Sequence, residues 1–224
     1  SYFKMIKKIS LIFSIAFIIV NAANASHLMG GEITWKCLGN GQFKFKMIVY
    51  RDCNGIPFGP PVSLDVLGAS ITTIPLNLIS QTDISPICNP DLPTNPQITC
   101  TNTQGYNGAV EEFIFESNPI TISGVPPATG WKFIWYSCCR NAAVDNLQNA
   151  GSLGFTLKAI MYPYNGTNTN PCFDSSPDFA EKPNTIICTG YPFTYNHNAV
   201  DPELDSLVYS FAQRSEEHTS ELQS

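Results

Sequence analysis

Histidine, charged residues and long apolar runs are all scarce in this chain. Three histidines and a charged fraction of 13% leave few side chains that can relay protons. The one extended apolar stretch, Ile9 to Val20, is about 12 residues against the roughly 20 that a membrane-crossing helix needs. No two cysteines stand in the short C-x₂₋₄-C spacing of structural zinc sites. The chain also has no H-E-x-x-H, no G-x-S-x-G and no phosphate-binding glycine loop, so the common signatures of zinc proteases, serine hydrolases and nucleotide enzymes are missing. Bases are outnumbered by acids, twelve to eighteen. An acidic body without a basic stripe argues against nucleic acid or an anionic membrane surface as partner.

What is present begins with an export pattern. Met5-Ile6-Lys7-Lys8 is a basic head, Ile9 to Val20 an apolar middle, and Asn21-Ala22-Ala23-Asn24-Ala25 a small-residue cleavage site. Residues 5–25 therefore read as a signal peptide cut after Ala25. The mature fragment is expected to carry no transmembrane segment and to be secreted or held at the cell surface. Residues 1–4 precede the start at Met5 and read as upstream read-through. Residues 214–224 (Arg214-Ser215-Glu216-Glu217-His218 and onward) resemble a translated sequencing adapter, so the protein is expected to be a fragment of a longer one. Taking out Lys4, Lys7, Lys8 and Arg214, and Glu216, Glu217 and Glu221, leaves eight bases against fifteen acids and a net charge of −7 for residues 26–213.

In Gln42 to Arg51, residues Phe43, Phe45, Met47 and Val49 alternate with polar or amphipathic neighbours, the period of a half-buried strand. Glu32 to Cys37 precedes it, and Gly39-Asn40-Gly41 between them can adopt positive φ, which predicts a hairpin. Further strands are predicted at Val62–Leu67, Ile71–Ile79, Val110–Glu116, Trp131–Ser137 and Phe155–Tyr162, with room for a short helix in Asn141–Asn149. Seventeen prolines and β-branched runs between turn residues predict an all-β fold, an antiparallel immunoglobulin-like β-sandwich. Residues 26–170 are assigned to this disulfide-bonded domain. The polar stretch Asn165 to Pro171 reads as a linker or long loop. Residues 171–213, with strands through Ile186-Ile187, Phe193-Thr194-Tyr195 and Leu207–Phe211, read as the start of a second, truncated cadherin-like or immunoglobulin-like β domain.

All eight cysteines (Cys37, Cys53, Cys88, Cys100, Cys138, Cys139, Cys172 and Cys188) follow the export signal, where an oxidising compartment favours disulfides. Cys88 and Cys100 bracket one loop and Cys172 and Cys188 another, so each pair is expected to form a local staple. Adjacent Cys138 and Cys139 fit disulfide geometry poorly with each other and point to opposite faces of a strand. Their expected partners are Cys37 and Cys53, in either order. No base lies near enough in sequence to activate a cysteine as nucleophile; His197 is the one distal candidate.

Three other groups of residues could carry chemistry. Asp201, Glu203 and Asp205 are spaced by two; in an extended segment their carboxylates would face one side, and hard oxygen ligands suit calcium. The run resembles the Asp-Pro-Asp-Gly-Asp-Ser-Leu signature of calcium-associated repeats, departing from it at Glu203 and Leu204. The blander reading is a solvated acidic turn, and no other cofactor is expected. Glu111 and Glu112 should lie on opposite faces of their strand and so make no glycosidase pair. Arg51 and Asp52 are expected to satisfy a buried edge, through a local ion pair with Arg140 or Lys36, and not to catalyse. Trp131, Phe133 and Trp135 line one face of a strand. That stripe is core if buried and a sugar-stacking platform if exposed.

Four stretches together resemble the N-terminal region of large surface proteins of gliding-type Bacteroidetes. They are Ser26-His27-Leu28-Met29-Gly30-Gly31-Glu32-Ile33-Thr34-Trp35, Val49-Tyr50-Arg51-Asp52-Cys53-Asn54-Gly55, Ser137-Cys138-Cys139-Arg140-Asn141 and Asn196-His197-Asn198-Ala199-Val200-Asp201-Pro202 through Leu207. Such proteins commonly end in a gliding-motility-associated C-terminal sorting domain. The resemblance implies a non-enzymatic, adhesin-like protein exported by the type IX route, acting in display or adhesion toward a glycan or protein ligand. The alternative is a carbohydrate-binding accessory module of a larger secreted hydrolase.

Overall fold

The computed structural model describes residues 27–57, 59–86, 98–103, 108–138, 140–141, 144, 147–163, 174–181, 192, 194 and 198–211. The signal peptide, residues 1–4 and 214–224, the 165–171 linker, His197, and Cys88, Cys139, Cys172 and Cys188 lie outside them, as do Ile186, Ile187, Phe193 and Tyr195 of the expected later strands.

The described chain is all-β and antiparallel. Its strands are β1 (Leu28–Gly39), β2 (Gln42–Asp52), β3 (Val62–Leu67), β4 (Thr73–Asp83), β5 (Val110–Glu116), β6 (Ile120–Thr121), β7 (Trp131–Cys138), β8 (Gly154–Met161), β9 (Asp178–Phe179) and β10 (Ala199–Val200). β3 and β5 have the bounds that alternation predicts. β1 and β2 form the expected hairpin, with Gly39, Asn40 and Gly41 all at positive φ. One turn of 3-10 helix, Ala150–Ser152, follows the stretch where a short helix was expected. Leu207–Phe211, predicted as a strand, is in no described sheet.

The hydrogen-bonded order is β1-β2-β5-β4-β3-β7-β8, with β6 added on β2. β4 joins what a sandwich would keep as separate sheets. Its first residues, Thr73 to Leu76, pair with β3, and Asn77 to Asp83 pair with β5, across an irregularity between Leu78 and Ser80. A bulge bends a strand and increases its twist, so an eleven-residue β4 can serve both halves and the sheet becomes barrel-like. β1 and β8, the two ends of the path, meet at Gly31. A Cβ there would stand 2.5 Å from the Ile48 carbonyl oxygen and 2.8 Å from Leu157 Cδ1. Gly31→Val is expected to cost about 1–3 kcal/mol by overpacking, read as a lower urea midpoint. An unchanged midpoint would mean that β1 and β8 do not close on each other.

Alternation sends Phe43, Phe45, Met47 and Val49 of β2 inward, where they meet Phe113 and Phe115 of β5 and Trp131, Phe133 and Trp135 of β7 in one core. The Phe45 and Phe133 rings are 4.5 Å apart, and Trp35 lies 6.2 Å from Phe133. Trp131 is 1% exposed, so the aromatic stripe is core and offers no sugar platform. Ile48, Tyr50 and Val110 form a second cluster on the opposite face. Among the described residues no helix is long and apolar enough to cross a membrane.

Candidate functional site

The inward face of β2 stays apolar as far as Val49; its next member is a cation. Arg51 is buried and ion-pairs through Nη2 with Glu111 Oε1, whose side chain is buried too. Register explains the meeting, because β2 and β5 are antiparallel neighbours with Arg51 directly opposite Glu111. Arg51 Nη1 donates to the carbonyls of Gly55 (3.0 Å) and Ile56. Its guanidinium carbon stands 5.8 Å from the centre of the Phe113 ring, within cation–π range. Gln81 Nε2 of β4 donates to Glu111 Oε2 at 2.6 Å.

Asp52, fully buried, completes a second half of this cluster. Its Oδ1 accepts from the Asn54 amide (2.9 Å) and its Oδ2 from Asn141 Nδ2 (3.0 Å). Main-chain bonds frame the contact: the Asp52 amide donates to the His27 carbonyl, the Cys53 amide to Ala109 and the Asn141 amide to Leu28. Cys53 is bonded to Cys100, with Cα atoms 5.1 Å apart. Beside it, Asp83 accepts from the Cys100 amide at 2.8 Å and from the amide and hydroxyl of Ser85. Burial alone would raise the Asp83 pKa; the Ser85 and Cys100 hydrogen bonds outweigh it and hold the carboxyl below its ordinary value.

Three sequence expectations are corrected here. Arg51 pairs with Glu111, not with a local partner, and Asp52 reaches Asn141, the neighbour of Arg140. Cys53 and Cys100 pair with each other, which removes Cys53 as partner of Cys138 or Cys139 and breaks the expected Cys88–Cys100 staple. The reason is topological. The β2–β5 pairing brings the chain just before β5 back against the end of β2, so a cysteine 47 residues away becomes a neighbour. Cys37 lies at the other end of β1, nine residues or about 30 Å of strand from Leu28, which bridges to Arg140. Cys138 is thus not its partner, and Cys139 lies outside the described residues. Cys37 and Cys138 are both disulfide-bonded, with partners outside the described residues.

Glu111 and Glu112 do take opposite faces, Glu111 inward on Arg51 and Glu112 opposite Tyr50 of the second cluster. The acidic triplet is not extended. Leu204 has φ 67°, and buried Asp201 accepts from the amides of Glu203 (2.9 Å) and Asp205 (3.1 Å), as Asx turns do. Glu203 Oε2 accepts from the Ser175 amide at 3.2 Å. The Asp201 and Glu203 carboxylates thus have different partners, and the three acids are not among the described sets of potential metal ligands within 4.8 Å of one another. Asp-Pro was the signal for this turn.

Among the described residues, Cys53, Cys100 and Glu111 are the one set of three potential metal ligands within 4.8 Å of one another. The disulfide leaves no thiolate, and Arg51 already neutralises the carboxylate, so this set does not fit a cation. The hydrogen bonds, ion pair and disulfide of the cluster tie β2, β4, β5 and the 140–141 segment together, with Arg51 Nε buried and without a hydrogen-bond partner; none of these groups is a base poised beside a nucleophile. No family model, no curated protein and no solved structure matches the chain.

Proposed function

We propose that this chain is a non-enzymatic module of an exported, cell-surface adhesin-like protein, with display or adhesion as its role. The observation that supports this reading is the meeting of Arg51-Asp52-Cys53 with Asn141, members of two stretches that carry the resemblance, at one end of the barrel. Arg51, Asp52 and Cys53 hold strands together through the Glu111 ion pair, the Asn141 hydrogen bond and the disulfide, as a scaffold requires. The immunoglobulin-like element belongs to the same proposal: β4 divides the path into β1, β2 and β5 on one side and β3, β7 and β8 on the other, two layers over one core. Residues 171–213 are read as the opening of a second β unit in series. Multivalent display supplies avidity without new contacts.

Beads coated with the chain from Ser26 onward test this against the free protein. On cell, polysaccharide and protein surfaces, the coated beads are expected to be retained on at least one, at concentrations about 10²-fold below those at which the free chain binds. No retention on any of the three, or turnover of a glycan or peptide substrate, would overturn the reading.

A further inference from the structure

In an antiparallel pair, every second residue turns its amide and carbonyl away from the partner strand. Trp35 and Cys37 of β1 are such residues, and a segment from far downstream meets them. The Trp35 amide donates to Ser176 Oγ (2.8 Å), and the Ser176 amide donates back to the Trp35 carbonyl (2.9 Å). The Cys37 amide donates to Ser175 Oγ (3.2 Å), and Trp35 Nε1 donates to the Asp174 carbonyl (3.1 Å). The barrel uses the same reciprocal pair one strand away. Phe45, opposite Trp35, donates its amide to Ser117 Oγ (2.9 Å) and accepts from the Ser117 amide (2.9 Å). Ser117 follows β5 directly and prolongs its pairing with β2; Ser176 stands in the same relation to β1.

The strap 174–176 is itself held from its other side. Ser175 and Ser176 are buried, and the Ser175 amide donates to Glu203 Oε2 (3.2 Å). Glu203 belongs to the turn that Asp201 closes through the Glu203 and Asp205 amides. Just past Ser176, Asp178 and Phe179 of β9 pair with Val200 and Ala199 of β10. The Ala180 amide donates to the Asn198 carbonyl (2.9 Å), and the Ala199 amide to the Tyr209 hydroxyl (2.9 Å). Strap, two-stranded sheet and acidic turn are thus stitched to one another and, through Trp35 and Cys37, to the barrel. We infer that residues 174–176 and Glu203 form a rigid joint that carries the β9–β10 unit as one body with the barrel.

Relative motion is the default between units that share little interface, so a fixed orientation needs a connection pinned at more than one point. Serine suits the barrel side because a hydroxyl both donates and accepts: Ser176 Oγ takes the Trp35 amide and also donates to the Trp35 carbonyl (3.2 Å). Glu203 suits the other side because a carboxylate accepting from a backbone amide makes a charge-assisted bond. Glu203 is a positioning residue in this arrangement, and it is exposed, so it can be exchanged without disturbing the core. The purpose of the joint rests on the serial-display reading, but its existence does not. Relaxation reads the joint and bead retention reads adhesion, so the two can fail separately.

Amide nitrogen relaxation and hydrogen exchange on the chain from Ser26 onward test the joint. In the wild type, the Phe179, Ala199 and Val200 amides are expected to share the order parameters of β2 and β5, about 0.85. Ser175→Ala, Ser176→Ala and Glu203→Ala combined should lower the β9–β10 values below about 0.6. The same variant should cut protection of the Trp35 and Cys37 amides about tenfold, with β2 and β5 unchanged. Glu203→Ala alone should loosen the Ser175 amide, and Glu203→Gln, which keeps an oxygen acceptor, should restore most of that loss. Wild-type β9–β10 amides that tumble independently of the barrel, a triple variant as rigid as the wild type, Glu203→Gln no better than Glu203→Ala, or a loss spread through β2 and β5 would overturn the inference.

Discussion

Arg51→Met is expected to destabilise the protein by about 3–5 kcal/mol, the usual consequence of leaving one member of a buried ion pair without the other. Glu111 would keep Gln81 as a donor, which is too little to replace a guanidinium. The carbonyls of Gly55 and Ile56 would lose their donor as well. Arg51→Met combined with Glu111→Leu removes the stranded charge, and a buried pair exchanged for apolar residues is often near neutral. The two carbonyls remain unsatisfied in the double variant, so a residual loss of about 1–3 kcal/mol is expected there. Urea unfolding of the four proteins gives the coupling. A single Arg51→Met variant that lost under about 1 kcal/mol would place the pair with solvent-exposed salt bridges and remove the cluster from the account of stability.

That cluster marks the boundary of what the sequence could convey. Strand positions were legible because alternation is local: Phe43, Phe45, Met47 and Val49 announce β2 without knowledge of any other strand, and Gly39-Asn40-Gly41 announces its turn. The same pattern put Trp131, Phe133 and Trp135 on one face, and the structure shows that face to be buried. The partners of polar residues were not legible. Arg51 meets Glu111 only because β2 and β5, separated by β3 and β4, pair in one register. Cys53 meets Cys100 for the same reason, whereas sequence proximity favoured Cys88. Continuity of the sheet depends on β4 changing partners near Leu78, and no residue type there announces it. Asp201 shows the converse. Its Asp-Pro turn was local and readable, but even spacing of the acids suggested an extended segment.

The second large effect is expected from Cys53→Ala with Cys100→Ala. The bond closes a loop with a sequence separation of 47 that contains β3 and β4, and on the chain-entropy model closing such a loop is worth about 4 kcal/mol. In a chain of this size that corresponds to a Tm lower by roughly 8–15 °C. Replacing both cysteines isolates this bond from those of Cys37 and Cys138, which a reductant would also break. The sulfurs lie within 4.8 Å of the Glu111 carboxylate, so the bond and the ion pair hold the same end of the barrel. Adding Arg51→Met to the disulfide variant is therefore expected to cost less than it does in the wild type, because that end is already loosened; neighbouring sites of this kind commonly couple by about 0.5–3 kcal/mol. Urea midpoints of the wild type, the cysteine double variant, Arg51→Met and their combination measure that coupling. Strict additivity would show that the bond acts through the unfolded chain alone. A disulfide variant as stable as the wild type would show that the β2–β5 pairing holds residues 53 and 100 together without it.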